Sequence, residues 1–280
     1  MSDPRCRRKH LRSKRERPGL LVVREISMYQ FFVAPEAINT DLKRVFITGQ
    51  DVNHIKNVLR MKVGEELNVS NGTDGKEYRC AVFEMTDDTV TCELRFIKED
   101  GNELPSRIVL FQGLPKADKF ELIIQKCVEL GVAEIVPVAM KRCVMKIEEK
   151  KEAKKIERWQ AIAEAAAKQS KRGIVPTVSG VMTYGEAIKK AQELDIILLP
   201  YEMADADSMG KTREIIQGIK PGQSVGIFIG PEGGFDDSEV EKAAAAGAHT
   251  ITLGKRILRT ETAGLTVMSW LMYFLDGREA

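Results

Sequence analysis

The spacing of apolar positions changes rhythm once along the chain. From Met28 to about Lys98, apolar and polar residues alternate in runs too short for helices, at 29–33, 45–48, 66–70, 77–84 and 89–96. A period of two predicts strands buried on one face. Asn71-Gly72 and Asp74-Gly75 supply tight-turn residues between two of these runs. One segment breaks the pattern. Over 51–60, Val52, Ile55, Val58 and Leu59 recur at helical spacing, which predicts one amphipathic helix with His54, Lys56 and Arg60 off or at the edge of its apolar face. Strands this short and this closely spaced predict a small barrel.

Residues 99–105 (Glu-Asp-Gly-Asn-Glu-Leu-Pro) are polar and predict a domain boundary. Beyond them, apolar runs at 107–114, 135–138, 196–199, 225–229 and 250–253 alternate with helical periodicity at 118–130, 146–171, 236–246 and 260–275. Strands that are apolar almost throughout are buried on both faces, and strand–helix alternation builds a largely parallel sheet. The expected fold class is α/β. Residues 1–27 form an extension, 28–100 a β-barrel, and 101–280 an α/β domain.

Composition adds exclusions. With 43% hydrophobic and 30% charged residues the chain is an ordinary globular one. No apolar run approaches the about 20 residues that span a bilayer. No signal-like leader opens the chain, so a cytoplasmic location is expected. Cys6, Cys80, Cys92, Cys127 and Cys143 are scattered without a C-x-x-C pair, and there are only three histidines, so no metal site is expected. The net charge of +2 hides an asymmetry, because residues 1–27 alone carry +6 and the remainder −4. The basic arm is an RNA-contacting or targeting arm, a solvated tail, or a stretch read from a start placed upstream of a true initiator at Met28. Overall charge carries no argument for nucleic-acid binding by the folded body.

Three loops follow expected strand ends: Leu199-Pro-Tyr-Glu202, Gly230-Pro-Glu-Gly-Gly234, and the segment from Leu253 to Thr262. Open α/β sheets bind ligands outside the carboxyl ends of their strands. Neither a P-loop nor G-x-G-x-x-G is present, which disfavours a polyphosphate or dinucleotide. The loops suit a ligand held by backbone hydrogen bonds and apolar contact, such as an adenosine lacking phosphate, unless they are structural turns only. Lys255, Arg256 and Arg259 crowd the start of a helix beside Glu261. The helix dipole disfavours cations there, which tilts the reading from surface ion pairs towards gripping an anionic substrate or polarising a base. Arg60 and Lys62 are either phosphate contacts or solvated charges.

The motifs Gly230-Pro-Glu-Gly-Gly234 and Leu253-Gly-Lys-Arg-Ile-Leu-Arg-Thr-Glu-Thr-Ala263 resemble those of the RsmE family, ribosomal small-subunit RNA uridine-N3 methyltransferases of the SPOUT class. Gly113-Leu-Pro-Lys-Ala-Asp-Lys119, Ile124-Gln-Lys126, Glu129-Leu-Gly131, Glu157-Arg-Trp159, Gln169-Ser170 with Arg172, and His54-Ile-Lys-Asn-Val-Leu-Arg60 agree. The resemblance runs from Met28 to near the C-terminus and leaves residues 1–27 outside. It implies a PUA-like barrel that holds RNA and a C-terminal α/β domain whose last strand and helix thread a trefoil knot. It also implies a homodimer with its active sites at the subunit interface. The implied cofactor is S-adenosyl-L-methionine and the implied partner is 16S rRNA of the small ribosomal subunit.

The implied cofactor-binding residues are Leu199, Pro200, Tyr201 and Glu202, then Gly230, Pro231, Glu232 and Gly233, then Leu253, Gly254, Ile257, Leu258, Thr260, Thr262 and Ala263. Arg259, assisted by Arg256 or Arg172, is expected to stabilise the reacting base, with Glu232 or Glu261 as proton acceptor. His54, Arg60, Lys62, Lys116 and Lys119 are the expected RNA contacts. The family often places an arginine just after its initiator, where this chain reads Met28-Tyr-Gln-Phe. Rival readings are a sister enzyme acting at another RNA site and a non-catalytic RNA-binding assembly factor. A nucleotide-binding oxidoreductase comes last, for want of its fingerprint.

Overall fold

The structure is a computed structural model that describes residues 28–99, 101–201 and 208–277. The basic arm and Glu202 lie outside the described residues. The first sheet comprises β1 (Gln30–Phe32), β2 (Ile38–Asn39), β3 (Arg44–Thr48), β4 (Glu66–Ser70), β5 (Glu77–Met85) and β6 (Thr89–Lys98), in the spatial order β1-β4-β5-β6-β3-β2. Its ladders are antiparallel except β1 with β4, which run parallel. Alternation does what it predicts: on β3, Val45 and Ile47 are buried while Phe46 and Thr48 face outward. Inward residues from five strands share one core that includes Phe31, Ile47, Leu67, Cys80 and Val90, and Ile38 of β2 packs against it.

The single helix expected over 51–60 is corrected. α1 (Gln50–Asn53) passes into a π-helical turn, His54–Val58, in which the Leu59 amide donates to His54 O. A π-turn takes up more residues per turn. Val52 and Ile55 still reach the core, but Val58 is rotated out and is 63% exposed. Arg60 closes the turn with a left-handed backbone (φ +54°).

The second sheet carries the rest: β7 (Ile108–Gly113), α2 (Lys119–Glu129), β8 (Glu134–Ala139), α3 (Glu149–Gln169), β9 (Thr177–Val178), β10 (Met182–Thr183), α4 (Tyr184–Ala191), β11 (Ile196–Pro200), α5 (Ser208–Gly218), β12 (Val225–Ile229), α6 (Asp237–Ala245), β13 (His249–Ile251) and α7 (Thr260–Leu275). The strand order is β10-β8-β7-β12-β11-β13, with β9 also on β8, and every ladder is parallel. The central strands β7 and β12 are buried at every position. One face packs on α2, α3, α5 and α7 through Ile108, Leu110, Ile227 and Ile229. The other packs on α4 and α6 through Val109, Phe111 and Phe228, the two phenyl rings stacked 4.5 Å apart. This layering sends all strand C-termini to one edge.

The two sheets meet at the opposite edge. Gln30 Nε2 donates to Arg172 O (2.6 Å), Asn102 Nδ2 to Lys171 O (2.8 Å), and Lys168 Nζ pairs with Asp51 Oδ1 (2.9 Å). Gln30, in the dipeptide after Met28, is thus a buried staple between the sheets rather than an outward-facing contact.

Candidate cofactor and substrate cavity

The three strand-end loops converge on a cavity of about 1010 Å³. Pro200 and Tyr201 line it from the first loop; Gly230, Pro231, Glu232 and Gly233 from the second; Leu253, Gly254, Arg256, Ile257, Leu258 and Arg259 from the third; and Thr260 and Ala263 from the first turn of α7. Leu199 is fully buried beneath it, in the core with Val138 and Phe228, and anchors β11 without forming the wall. Thr262 is exposed and outside the lining, its amide donating to Arg259 O.

Close approach explains the loop shapes. A Cβ on Gly113, at the end of β7, would fall 2.7 Å from Pro231 Cδ and 2.8 Å from its nitrogen, so only glycine lets this strand pass under the second loop. A Cβ on Gly233 would meet Arg142 Cβ at 3.0 Å. Arg142 lines the cavity and donates from Nη1 to Gly233 O (3.2 Å). Its neighbour Lys141 donates from its backbone N to Glu239 Oε1 (2.9 Å) and from Nζ to Asp236 Oδ1 (2.9 Å). The segment after β8 therefore clips the glycine loop against α6. Asp236 caps that helix, and hydrogen bonds from Ser238 and Lys141 push its carboxyl down to about 2. Arg142 and Gly113 were not among the residues expected from sequence, although the strand-end rule, applied also to β7 and β8, points to both.

Charge at the rim is unevenly committed. Glu232 Oε1 accepts from Lys119 Nζ and from the Lys116 amide, both at 3.0 Å. Burial raises the Glu232 carboxyl, but the Lys119 hydrogen bond and the backbone amides outweigh it and hold the group below its ordinary range. Lys119 is held charged chiefly by Glu232, and its Nζ lies 3.4 Å from Glu261 Oε2, an ion pair without an aligned hydrogen bond. Lys119 is thus occupied by two carboxylates, although it was expected to contact RNA. The side chains of Lys255, Arg256 and Arg259 are exposed and make no hydrogen bond or ion pair among the described residues. Ile257 stands between the arginines, 85% exposed. The amides of Ile257 and Leu258 likewise find no acceptor among the described residues.

Arg172 is not brought to this cavity, which corrects its expected catalytic part. It is 3% exposed at the opposite edge, where its guanidinium pairs with Glu103 and donates from Nη1 to Val132 O (2.6 Å) and Val128 O (3.1 Å). A guanidinium so fully bonded and buried is a structural clamp. His54, Arg60 and Lys62 are exposed on the smaller sheet's helical turn and the residues just after it, away from the cavity lining.

Comparison with known proteins finds two RNA-methyltransferase domains in the chain. Residues 102–272 match the RNA methyltransferase domain family and residues 47–95 the RNA methyltransferase PUA domain. The chain is 38% identical over 228 residues to Ribosomal RNA small subunit methyltransferase E of Bacillus subtilis (strain 168), covering 81% of this chain and 89% of that protein. It resembles the crystal structure of a Ribosomal RNA small subunit methyltransferase E from Neisseria gonorrhoeae bound to S-adenosyl methionine, with TM-score 0.73, 31% identity, and coverage of 88% and 97%. A putative methyltransferase from Legionella pneumophila in complex with the bound cofactor SAM is similar too, with TM-score 0.74, 29% identity, and coverage of 89% and 98%.

Proposed function

The chain belongs to the ribosomal RNA small subunit methyltransferase E family of RNA methyltransferases, and from that premise we propose that it methylates N3 of a uridine in 16S rRNA, using S-adenosyl-L-methionine. The observation that carries this reading is the convergence, at one edge of the parallel sheet, of a glycine loop, unbonded backbone amides and unpaired arginines around a single cavity. The donor set fits the cofactor. Free amides at Ile257 and Leu258 suit the edge of a purine, and Leu253, Leu258 and Ala263 offer it apolar contact. The cofactor supplies an electrophilic sulfonium methyl group.

The protein's own task is the nucleophile. Uridine N3 carries a proton at neutral pH, and its loss leaves an anion spread over O2 and O4. Arg259, with Arg256, stabilises that anion, as preorganised donors aimed at developing charge do. Walls fixed by Gly113 and Arg142 hold the reactants in line. Of the two candidate proton acceptors, Glu232 already receives two donors and is weakened as a base, whereas Glu261 keeps a buried oxygen without a hydrogen bond.

Residues 28–100 then hold RNA through His54, Arg60 and Lys62, with Lys116 at the cavity edge, while residues 101–280 carry out the transfer. The homodimer and the knotted C-terminal segment belong to the same reading. It is supported by α7, which buries Val267, Met268 and Leu271 yet leaves Tyr273 87% exposed. A cytoplasmic site of action goes with the ribosomal substrate, and among the described residues no helix is long and apolar enough to cross a membrane.

Primer extension on 16S rRNA tests the reading, because a methyl on N3 blocks base pairing and halts the polymerase. Cells lacking the gene should lose one stop that the intact gene restores. An identical stop pattern with and without the gene would contradict it, and would favour an assembly factor.

A further inference from the structure

Resting on the methyl-donor reading of the cavity, we propose that Gln112, which does not touch the cavity, is a positioning residue that locks its two walls together. Gln112 sits in the middle layer of the sheet near the end of β7, with no exposed surface. A buried amide is costly unless it is bonded. Its Nε2 donates to Thr260 Oγ1 at 2.9 Å, across 148 positions of sequence, and to Gly113 O at 3.0 Å. Thr260 Oγ1 donates in turn to Gly230 O at 2.6 Å. A hydroxyl has one proton, so the direction is fixed: glutamine to threonine, threonine to the glycine loop.

This relay ties three elements together. β7 supplies the anchor, α7 supplies Thr260 in its first turn, and the loop after β12 supplies Gly230. Thr260 and Gly230 both line the cavity, from different walls. Among the described residues, the Thr260 Oγ1 to Gly230 O bond is the one direct hydrogen bond between these walls.

Stability alone does not account for the residue. Gln112 Oε1 is buried without a hydrogen-bond partner, and a Cβ on Gly264 would lie 3.7 Å from it. An apolar side chain of the same length would remove that unsatisfied acceptor but would also leave Gly113 O without its donor, so Gln112→Met should lower stability modestly whatever the residue does for the cofactor. A structural part alone therefore predicts that Gln112→Met loses some stability while the folded protein keeps its cofactor affinity. A positioning part predicts that the folded protein loses cofactor affinity as well.

The test uses the full-length protein, titrated with S-adenosyl-L-methionine by calorimetry alongside thermal unfolding. Gln112→Met should weaken cofactor affinity about tenfold at a temperature where the variant is fully folded, with the unfolding midpoint only modestly lower. Hydrogen exchange at the amides of residues 260–263 should speed up even without cofactor. Thr260→Val breaks the same relay from the helix side, and the double variant should lose less than the two single losses combined. Wild-type affinity in Gln112→Met, or full additivity with Thr260→Val, overturns the proposal. Should Gln112→Met fail to fold, Thr260→Val decides: unchanged affinity and exchange overturn it, and weaker affinity with faster exchange support it. If the wild-type protein itself binds no S-adenosyl-L-methionine, the methyl-donor reading falls, and the inference with it.

Discussion

At the carboxyl edge of the large sheet, the guanidinium groups of Arg256 and Arg259 stand exposed with no partner among the described residues. At the amino edge, Arg172 is buried among Glu103 and two backbone carbonyls, and Glu103 also accepts from the amides of Gly173 and Ile174. The residue type is the same and the chemistry is opposite. A guanidinium whose donors are spent inside the protein holds elements in place. One whose donors are unspent can take up charge from outside. The same contrast separates the lysines: Lys119 is spent on Glu232 and Glu261, and Lys255 is not.

The comparison breaks most visibly at its structural end. Arg172→Ala strips Glu103 and two carbonyls of their partner, and should lower unfolding free energy by about 3 to 5 kcal/mol in denaturant titration. The fraction that remains folded should bind cofactor with unchanged affinity. A variant as stable as wild type but defective in methyl transfer would return Arg172 to the catalytic group. Next in size, Arg259→Ala should slow single-turnover methylation about 100-fold, as loss of one preorganised donor does, with the unfolding midpoint unmoved. Full single-turnover activity would remove that arginine from the mechanism.

Gly113→Ala tests the walls between these two edges. Its methyl group would press on Pro231 backbone, and overpacking of this kind costs about 1 to 3 kcal/mol. Thermal unfolding should register that loss and calorimetry a weaker cofactor. The smallest expected effect is one of pH. The Glu232 carboxyl is held below its ordinary value, so its contribution is complete above the ordinary carboxylate range and disappears as pH falls through the lower folded value. The group is largely solvated, so the loss should be slight. It should show as a small gap between wild type and Glu232→Gln in unfolding free energy at neutral pH, closing in acid.

Much of this architecture was legible because apolar runs end at glycine, proline or a charge. The ranges 66–70, 225–229 and 260–275 coincide with β4, β12 and α7. The three loops of the cavity were legible for the same reason, since Pro200, Gly230 and Gly254 each stop a strand-like run. What escaped depended on distance in sequence. Arg172 has the neighbours of an active-site residue in its motif, and only the partner Glu103, far upstream, shows it to be a clamp. Gln30 looks like a surface residue and is buried by a bond across 142 positions. The π-turn at His54 keeps helical apolar spacing and so hides its extra width. α4 was overlooked although Thr183 and Glu186 form a capping box around its first turn, because eight residues carry too little periodicity to stand out.

The most direct measurement is nucleoside analysis of 16S rRNA after incubating small ribosomal subunits with purified protein and isotopically labelled S-adenosyl-L-methionine. The account predicts label in 3-methyluridine alone, abolished by Arg259→Ala and retained by a folded Arg172 variant. Label in any other nucleoside, or equal labelling by the Arg259→Ala protein, would contradict it.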